Sequence, residues 1–375
     1  MESKDRVLIT GSSGRIGSAL IHRLAARYEI IGLDDAGPPY PPRPAHCIPV
    51  DMESDNSVAE ALKHVRENYG PGIASVIHLA GYYSFTGDAD PRYYTVNVLG
   101  TRRLLRGLQN FEVGQFVFAS SMLVHAPQAP GQRINEDSPL KPKWEYPKSK
   151  LDTEEAVRRE RGHIPAVILR IAGVYDDWCH LPALAQQIQR IYERRLISHV
   201  FPGDSAHGQA AVHMDDLVEG LALLIEKRRS LPAELTLLIG EPETPAYAFI
   251  QNELGRIIHG EPWETREIPK AVAKTGAWLQ EVALPEEEEP FIKHWMIDIA
   301  DDHYELDITR ARSLLGWDAQ RRLLGTLSLM VYFLKQDPVA WYKANSLEAP
   351  ADLQERAAPP KPDPACRPDE ERPRS

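Results

Sequence analysis

The chain opens on a short apolar run, Val7-Leu8-Ile9, then a helical pattern over Ile16 to Arg27, then a second apolar run, Ile30-Ile31-Gly32-Leu33. Short buried runs separated by amphipathic helices predict a parallel sheet wrapped by helices. The alternation continues with strand-like runs at Ser75 to Leu79, Gln115 to Ala119 and Ala166 to Arg170. Helical patterns lie between them at Ser57 to Tyr69, Arg92 to Leu108 and Lys148 to Arg161. Residues 36–49 hold six prolines and read as a loop with little regular structure.

From about Asp176 the alternation weakens, and helices with irregular connections take over. The pattern therefore predicts an α/β fold: a Rossmann-type, doubly wound parallel sheet over residues 1–175, and a smaller, mostly helical lobe over 176–347 that contacts substrate. Ala211-Val212-His213 and Leu235 to Ile239 are strand-like, so segments near 210–240 are expected to return to the sheet. Residues 349–375 carry seven prolines and almost no large apolar groups. A tail over 348–375 of that kind buries too little surface to offset its ordering entropy and is expected to be disordered.

Composition narrows the function. Hydrophobic residues make up 43% and charged residues 26% of the chain, the balance of an ordinary globular protein. A net charge of −11 offers no basic face for phosphates, which argues against a nucleic-acid or anionic-membrane partner. Cys47, Cys179 and Cys366 are scattered, and no HExxH or Cys/His ligand spacing is present, so no metal site is expected. The charged segment Met1 to Arg6 is unlike a signal peptide, and Leu323 to Leu334 falls short of the roughly 18 apolar residues of a membrane span. These features predict a cytoplasmic protein acting on a small molecule.

The first chemical motif follows the first strand: Thr10-Gly11-Ser12-Ser13-Gly14-Arg15-Ile16-Gly17. Glycines here let the backbone turn sharply and approach a pyrophosphate, and the helix N-terminus then offers free N–H groups and a positive dipole end. Gly11, Ser13, Gly14, Arg15, Ile16 and Gly17 are the candidate residues of that loop. Asp34 ends the second strand, 23 residues after Gly11, at the place where a carboxylate accepts hydrogen bonds from a ribose. With Asp35 beside it and no Arg or Lys at that turn, a 2′-phosphate is repelled. The expected cofactor is NAD, not NADP.

The second motif is Tyr146-Pro147-Lys148-Ser149-Lys150. Residues four apart share a helix face, so Tyr146 and Lys150 can point into one cleft. A phenol is too weak an acid to serve as a base at neutral pH, and a neighbouring ammonium together with a cationic nicotinamide ring is expected to bring it toward the working range. Ser121 ends a strand 25 residues earlier and can hold the reacting oxygen against Tyr146.

With these stretches in hand, the sequence resembles an extended short-chain dehydrogenase/reductase of the NAD-dependent epimerase/dehydratase group. The resemblance covers the chain to about residue 335. It rests on TGSSGRIG at 10–17, LDD at 33–35, VDM at 50–52, HLAG at 78–81, NVLGT at 97–101, SSMLVH at 120–125, YPKSK at 146–150, LRIAGVY at 169–175, VHMDDLVEG at 212–220 and LLGW at 314–317. The resemblance implies that Asp51 and Met52 contact the adenine side and that His78, Leu79, Ala80 and Gly81 line the cofactor. It implies that Asn97 supports the sheet and the active-site helix. Ser121 would orient the substrate oxygen, Tyr146 would be the acid/base, and Lys150 would bind the nicotinamide ribose. A homodimer through helices 92–108 and 148–161 is implied as well.

Departures from that pattern narrow the reaction. Sugar dehydratases of this kind carry an Asp-Glu pair directly after the serine, whereas Met122 and Leu123 stand here and cannot transfer protons. Nucleotide-sugar members carry an arginine at the position of Gln209, and a neutral amide cannot make the charge-assisted fork with a diphosphate. Arg190, Arg194 and Arg195 are the nearest replacements in sequence. His125 stands where relatives carry a tyrosine, either as a second proton carrier or as a packed loop residue. Tyr82, Tyr83 and Phe85 form an aromatic cluster on a loop that faces substrate in relatives. Tyr82, Tyr83, His125 and Gln209 are thus the candidate substrate residues. The sequence leads to a dehydrogenase/reductase of a secondary alcohol or ketone. A nucleotide-sugar epimerase with tightly held NAD stands second, and a non-catalytic NAD sensor third.

Overall fold

The computed structural model describes residues 4–38, 43–84, 87–275, 294–351 and 353. Seven parallel strands form the central sheet. Their chain order is β1 (Arg6–Thr10), β2 (Glu29–Asp34), β3 (His46–Pro49), β4 (Ser75–His78), β5 (Phe116–Ser121), β6 (Ala166–Ile171) and, after an excursion, Glu234–Ile239. Across the sheet that last strand leads, followed by β6, β5, β4, β1, β2 and β3. The order reverses direction between β1 and β4, and the loops after those two strands flank the resulting crevice, where open α/β sheets bind ligands.

The interior strands are apolar on both faces, as a sheet covered on both sides requires. Val7, Leu8 and Ile9 on β1 and Val76 and Ile77 on β4 are all fully buried. One face packs on α1 (Arg15–Leu24) and on the helix Met214–Lys227, through Leu20, Ile21, Leu217 and Leu221. The other, which includes Phe116 of β5, packs on α2 (Asp55–Tyr69) and α3 (Thr101–Leu108) through Val58, Leu62, Leu104 and Leu105. A separate core of Leu184, Ile188, Leu254, Leu327, Val331 and Trp341 holds the C-terminal helices together.

Two expectations are corrected. The proline-rich stretch 36–49 is not loop throughout, because His46–Pro49 pairs with β2 as the edge strand. Pro49 is tolerated there because the edge has no further partner for the missing N–H. The return near 210–240 is split: Glu234–Ile239 joins the main sheet beside β6, while Ala211–His213 pairs with Gly173–Tyr175 in a two-stranded sheet of its own. Most of the tail expected to be disordered, and Phe85 of the aromatic loop, lie outside the described residues.

The pattern over Arg92 to Leu108 resolves into two kinds of helix. Tyr93–Gly100 is a π-helix that runs directly into α3. Wide turns of this type are frequent at functional sites. Among the described residues no helix is long and apolar enough to cross a membrane, and no group of three or more His, Cys, Asp or Glu could hold a metal ion.

Candidate active site

The loop after β1 is built for close backbone approach. Gly11 has φ +69°, and a Cβ there would lie 2.7 Å from the Ala80 nitrogen and 2.9 Å from the Leu79 carbonyl carbon. A Cβ on Gly17 would sit 2.2 Å from the Gly11 oxygen, and one on Gly14 3.3 Å from it. α1 then begins at Arg15 behind Gly14, with no side-chain cap and no acidic residue in its first turn. Its first N–H groups therefore keep their positive potential for an anion. Ile16 packs on the core behind the loop.

Asp34 ends β2 beside this cradle. Its carboxylate accepts from the Ser13 N–H at 2.8 Å and the Ala36 N–H at 3.0 Å. Burial raises its pKa, with the two backbone donors opposing that rise. Ser13 also donates from its hydroxyl to the Gly37 carbonyl. Asp51 and Met52 follow β3 on the same side: Val50 N–H donates to the Asp34 carbonyl at 3.1 Å, Asp51 is exposed and Met52 is buried under Gly100. Leu79, Ala80 and Gly81 continue β4, the first two tied to Thr10 by their N–H groups. An uncapped helix start, a glycine turn that excludes Cβ atoms and a carboxylate at the end of β2 fit a dinucleotide with a free ribose hydroxyl.

Arg15 behaves differently from the rest of the loop. Its guanidinium leaves the cradle and reaches the turn after Gly173–Tyr175, pairing with Asp176 at 2.8 Å and donating to the His180 carbonyl at 3.2 Å.

The helix carrying the second motif, α4 (Glu145–Glu160), starts behind Trp144. Ser121 at the end of β5, Tyr146 and Lys150 converge here. Ser121 hydrogen-bonds the phenol and favours its ionisation, but burial dominates and pushes the Tyr146 pKa up to about 12. Burial also brings Lys150 down to about 8. The ammonium donates to the Ala119 carbonyl at 2.9 Å and lies 5.7 Å from the centre of the Tyr146 ring. Burial, then Tyr93, thus outweighs the lowering by Ser121.

Asn97, from the middle of the π-helix, ties the site together. Its Nδ2 donates to the Ser149 hydroxyl at 3.0 Å and to the Tyr82 carbonyl at 3.1 Å, while its Oδ1 accepts from the Tyr82 N–H at 2.6 Å. Below it, Thr101 donates its hydroxyl proton to the Asn97 carbonyl at 2.5 Å, so it must accept from His78 Nε2 at 2.8 Å. His78 Nδ1 then accepts from the Thr10 hydroxyl at 2.6 Å. Burial, helped by Lys150, holds this imidazole neutral, down to about 3. His78 is a locked interior residue and does not line the groove.

Among the candidate substrate residues, Tyr83 packs edge-on to Tyr146 at 4.8 Å, and Tyr82 packs on Tyr93 at 4.9 Å. Gln209 is half-buried, its backbone bridged to Tyr304. His125 is placed away from the cleft. It is fully buried, Nδ1 meets the Ser138 carbonyl at 3.2 Å, and Nε2 accepts from Arg170 at 3.0 Å. Burial, then the Arg170 charge, lowers it to about 4, so it is neutral and has no free nitrogen for substrate. Arg194 pairs with Glu261 and Arg195 with Glu193, while half-buried Arg190 is brought down to about 10 by desolvation, then by Arg195.

Sequence reasoning missed the network beneath α4. Arg170 forks onto Glu154, Ser120 donates to the same carboxylate at 2.6 Å, and Arg158 reaches it at 3.3 Å. The available signal was Arg170 itself, a lone cation inside an apolar strand run that demands a buried carboxylate. It also missed Trp295, which stacks on Trp144 at 4.9 Å.

A parallel sheet with a glycine cradle at its switch point and a Ser/Tyr/Lys cluster beside it defines a dinucleotide-dependent oxidoreductase. The model of the NAD dependent epimerase/dehydratase family matches residues 7–240. The chain belongs to that family and is an NAD-dependent enzyme. It is similar to a UDP-glucose 4-epimerase of Mycolicibacterium smegmatis, at 26% identity over 88% of this chain and 98% of the relative. It is also similar to a dTDP-6-deoxy-L-talose 4-dehydrogenase (NAD(P)(+)) of Kitasatospora kifunensis, at 28% identity over 85% and 92%. In fold it matches the crystal structure of the Thermus thermophilus UDP-glucose 4-epimerase in complex with NAD, with TM-score 0.65, 22% identity and coverage of 88% and 99%.

Proposed function

We propose that the protein is a dehydrogenase/reductase that interconverts a secondary alcohol and its ketone with net turnover of NAD. The observation that carries this is the meeting of Ser121, Tyr146 and Lys150 beside Gly81 and the glycine cradle. Bound NAD supplies the two-electron acceptor or donor at its nicotinamide. Gly11, Gly14, Gly17, Asp34, Asp51 and Met52 would hold its adenosine and diphosphate, and Lys150 its second ribose.

Tyr146 takes or gives the proton at its Oη. With the phenol pushed up to about 12, protonation is its resting state, which suits donation to the ketone oxygen during reduction. In the oxidation direction the phenolate needs nearby positive charge, which Lys150 offers once it turns from the Ala119 carbonyl toward the cleft. Ser121 fixes the substrate oxygen against Oη and stabilises the ionised phenol. Asn97 holds the start of α4 to the loop after β4, so that Tyr146 faces the groove.

Two details support net redox over epimerisation of a nucleotide sugar. Gln209 brings no charge, and two nearby lysines, Lys143 and Lys270, are engaged by Asp302 and Asp301. An uncharged amide and neutralised lysines give a diphosphate little to bind. The test is to incubate the purified protein with NAD and secondary alcohols, or NADH and ketones, and follow NADH absorbance. Conversion of UDP-glucose without net NADH, on a retained cofactor, would instead establish the epimerase.

We also place the protein in the cytoplasm, where the unpaired thiols of Cys47 and Cys179 stay reduced. A homodimer through helices 92–108 and 148–161 is the assembly we propose. Its arginines are already committed within the chain, Arg102 and Arg106 to Glu160 and Arg103 to Asp55, so the contact would rest on Tyr94 and Leu99 instead.

A further inference from the structure

We infer that the cleft beside Tyr146 takes an apolar carbocyclic alcohol or ketone, and that Trp144 and Trp295 are the residues that select it. This rests on reading Tyr146 as the group that meets the substrate oxygen. Four rings from three separate parts of the chain gather at that point. Tyr83 lies edge-on to Tyr146 at 4.8 Å, and Trp144 lies 5.5 Å from it. Trp295 stacks on Trp144 at 4.9 Å with an interplanar angle of 28°, and Tyr83 meets Trp144 at 6.4 Å.

These rings are not ordinary core. Tyr83 is 48% exposed, and Trp144 and Trp295 are half-buried, so aromatic surface stays open within one ring's width of the acid/base group. Such surface gains most from an apolar ring, which meets it in offset or edge contact. A pyranose can lay its C–H face on an indole, but the hydroxyls at its edge then need polar partners, and Lys143 and Arg92 beside this wall are held by Asp302 and Asp90.

The placement of Trp295 depends on Gly87. That residue has φ +73°, and a Cβ there would fall 2.2 Å from the Trp295 ring. Only glycine leaves the slot through which the indole reaches Trp144. Charge around the wall is spent within the chain. Lys143, next to Trp144, closes on Asp302 at 2.5 Å. Arg92 lies 4.2 Å over the Tyr82 ring and pairs with Asp90 at 2.7 Å. A neutral ring meets what remains.

The test compares a fused-ring decalone with an open-chain decanone as NADH-dependent substrates of the full chain. The wild type should show a KM for the decalone about tenfold below that for the decanone, with similar kcat. Trp295→Ala should raise the decalone KM about tenfold and move the decanone KM less than about threefold, while Trp295→Phe restores most of the difference. Gly87→Ala should reproduce the Trp295→Ala pattern without removing a ring. Parallel loss for both ketones, or an unchanged decalone KM in Trp295→Ala, overturns the inference. If neither ketone is reduced, calorimetric titration of the decalone into NADH-loaded protein decides. Binding that Trp295→Ala abolishes keeps the inference and removes the Tyr146 reading, whereas no binding to wild type removes the inference itself.

Discussion

Arg170 and Glu154 face each other in the interior as a fork on a fork, Nε to Oε1 at 3.0 Å and Nη2 to Oε2 at 2.7 Å, with both side chains all but sealed from water. Arg170 belongs to β6 and Glu154 to α4, one helical turn beyond Lys150. The pair, with Ser120 bonded to the same carboxylate, fixes the helix that carries Tyr146 against the strand that ends in Ser121.

Removing one partner leaves the other charged and buried. Glu154→Ala should cost about 3–5 kcal/mol of unfolding free energy, the range for breaking a buried pair from one side. Denaturant titration followed by circular dichroism measures it. A loss below about 1 kcal/mol would mean water or relaxation compensates for the missing carboxylate.

The same carboxylate gives acid sensitivity a sign. Burial would raise Glu154, but the Arg170 hydrogen bonds and charge outweigh it and hold the group below its ordinary 4.5. The unfolded chain therefore takes up the proton first as pH falls. The contribution to stability is whole above about pH 4.5 and is lost as pH drops through the lower folded value. Glu154→Gln should flatten the acid limb of a stability-versus-pH curve, and an identical limb in wild type and variant would exclude this residue as its source.

Lys150 predicts a conflict between stability and activity. Burial lowers its pKa from 10.5 to about 8, so the folded state disfavours the ammonium relative to the unfolded chain. Lys150→Met should raise stability at pH 7 by about 1–3 kcal/mol while reducing turnover by at least about a hundredfold. The stability difference should narrow as pH rises from about 8 toward 10.5, where the unfolded lysine also loses its proton. Thermal melts across that range, paired with rate measurements, test both halves.

Asp34 predicts cofactor choice. Asp34→Ala should raise the KM for NAD about tenfold and improve relative use of NADP, because a carboxylate that repels a 2′-phosphate is gone. Its bonds to Ser13 and Ala36 also disappear, so some loss with both cofactors is expected. Initial rates at matched NAD and NADP concentrations decide, and an unchanged ratio would show that discrimination lies elsewhere.

Gly17 predicts a steric failure. An alanine Cβ would lie 2.2 Å from the Gly11 oxygen and 2.8 Å from the Ser12 Cα, both backbone atoms that cannot swing aside. Gly17→Ala should cost about 1–3 kcal/mol and abolish NAD binding measured by calorimetry. Retained binding at wild-type affinity would show that the loop re-forms around the methyl group.

The sheet was legible because each interior strand is an unbroken apolar run and each covering helix shows its stripe. The glycine loop and the Tyr146/Lys150 pair were legible because both are local spacings. His46–Pro49 was hidden because an edge strand needs only one partner, and its prolines mask the pairing. Arg170 was visible but its meaning was not, since Glu154 lies 16 residues earlier and only packing brings them together. Trp295 was hidden for the same reason, at a still greater distance along the chain from Trp144. The electrostatic balance at Tyr146 and Lys150 was not legible, because spacing reports proximity, whereas desolvation depends on everything packed around the pair.

The wide turn at Tyr93–Gly100 has a consequence for how this site can change by insertion or deletion. A π-turn holds about one residue more than an α-turn, so it acts as a phase shift of roughly 100° built into one helix. On one side of that shift Asn97 faces Tyr82 and Ser149, and just beyond it Thr101 meets His78. Deleting a single residue there would close the turn to an ordinary α-turn, keeping the flanking core contacts in step while displacing the side chains of the turn itself. The groove would keep its sheet and its glycine loop but lose the amide that aligns the two loops over it. The extra residue is thus a timing element: it sets which side chains arrive together, at a place where sequence length matters as much as sequence identity.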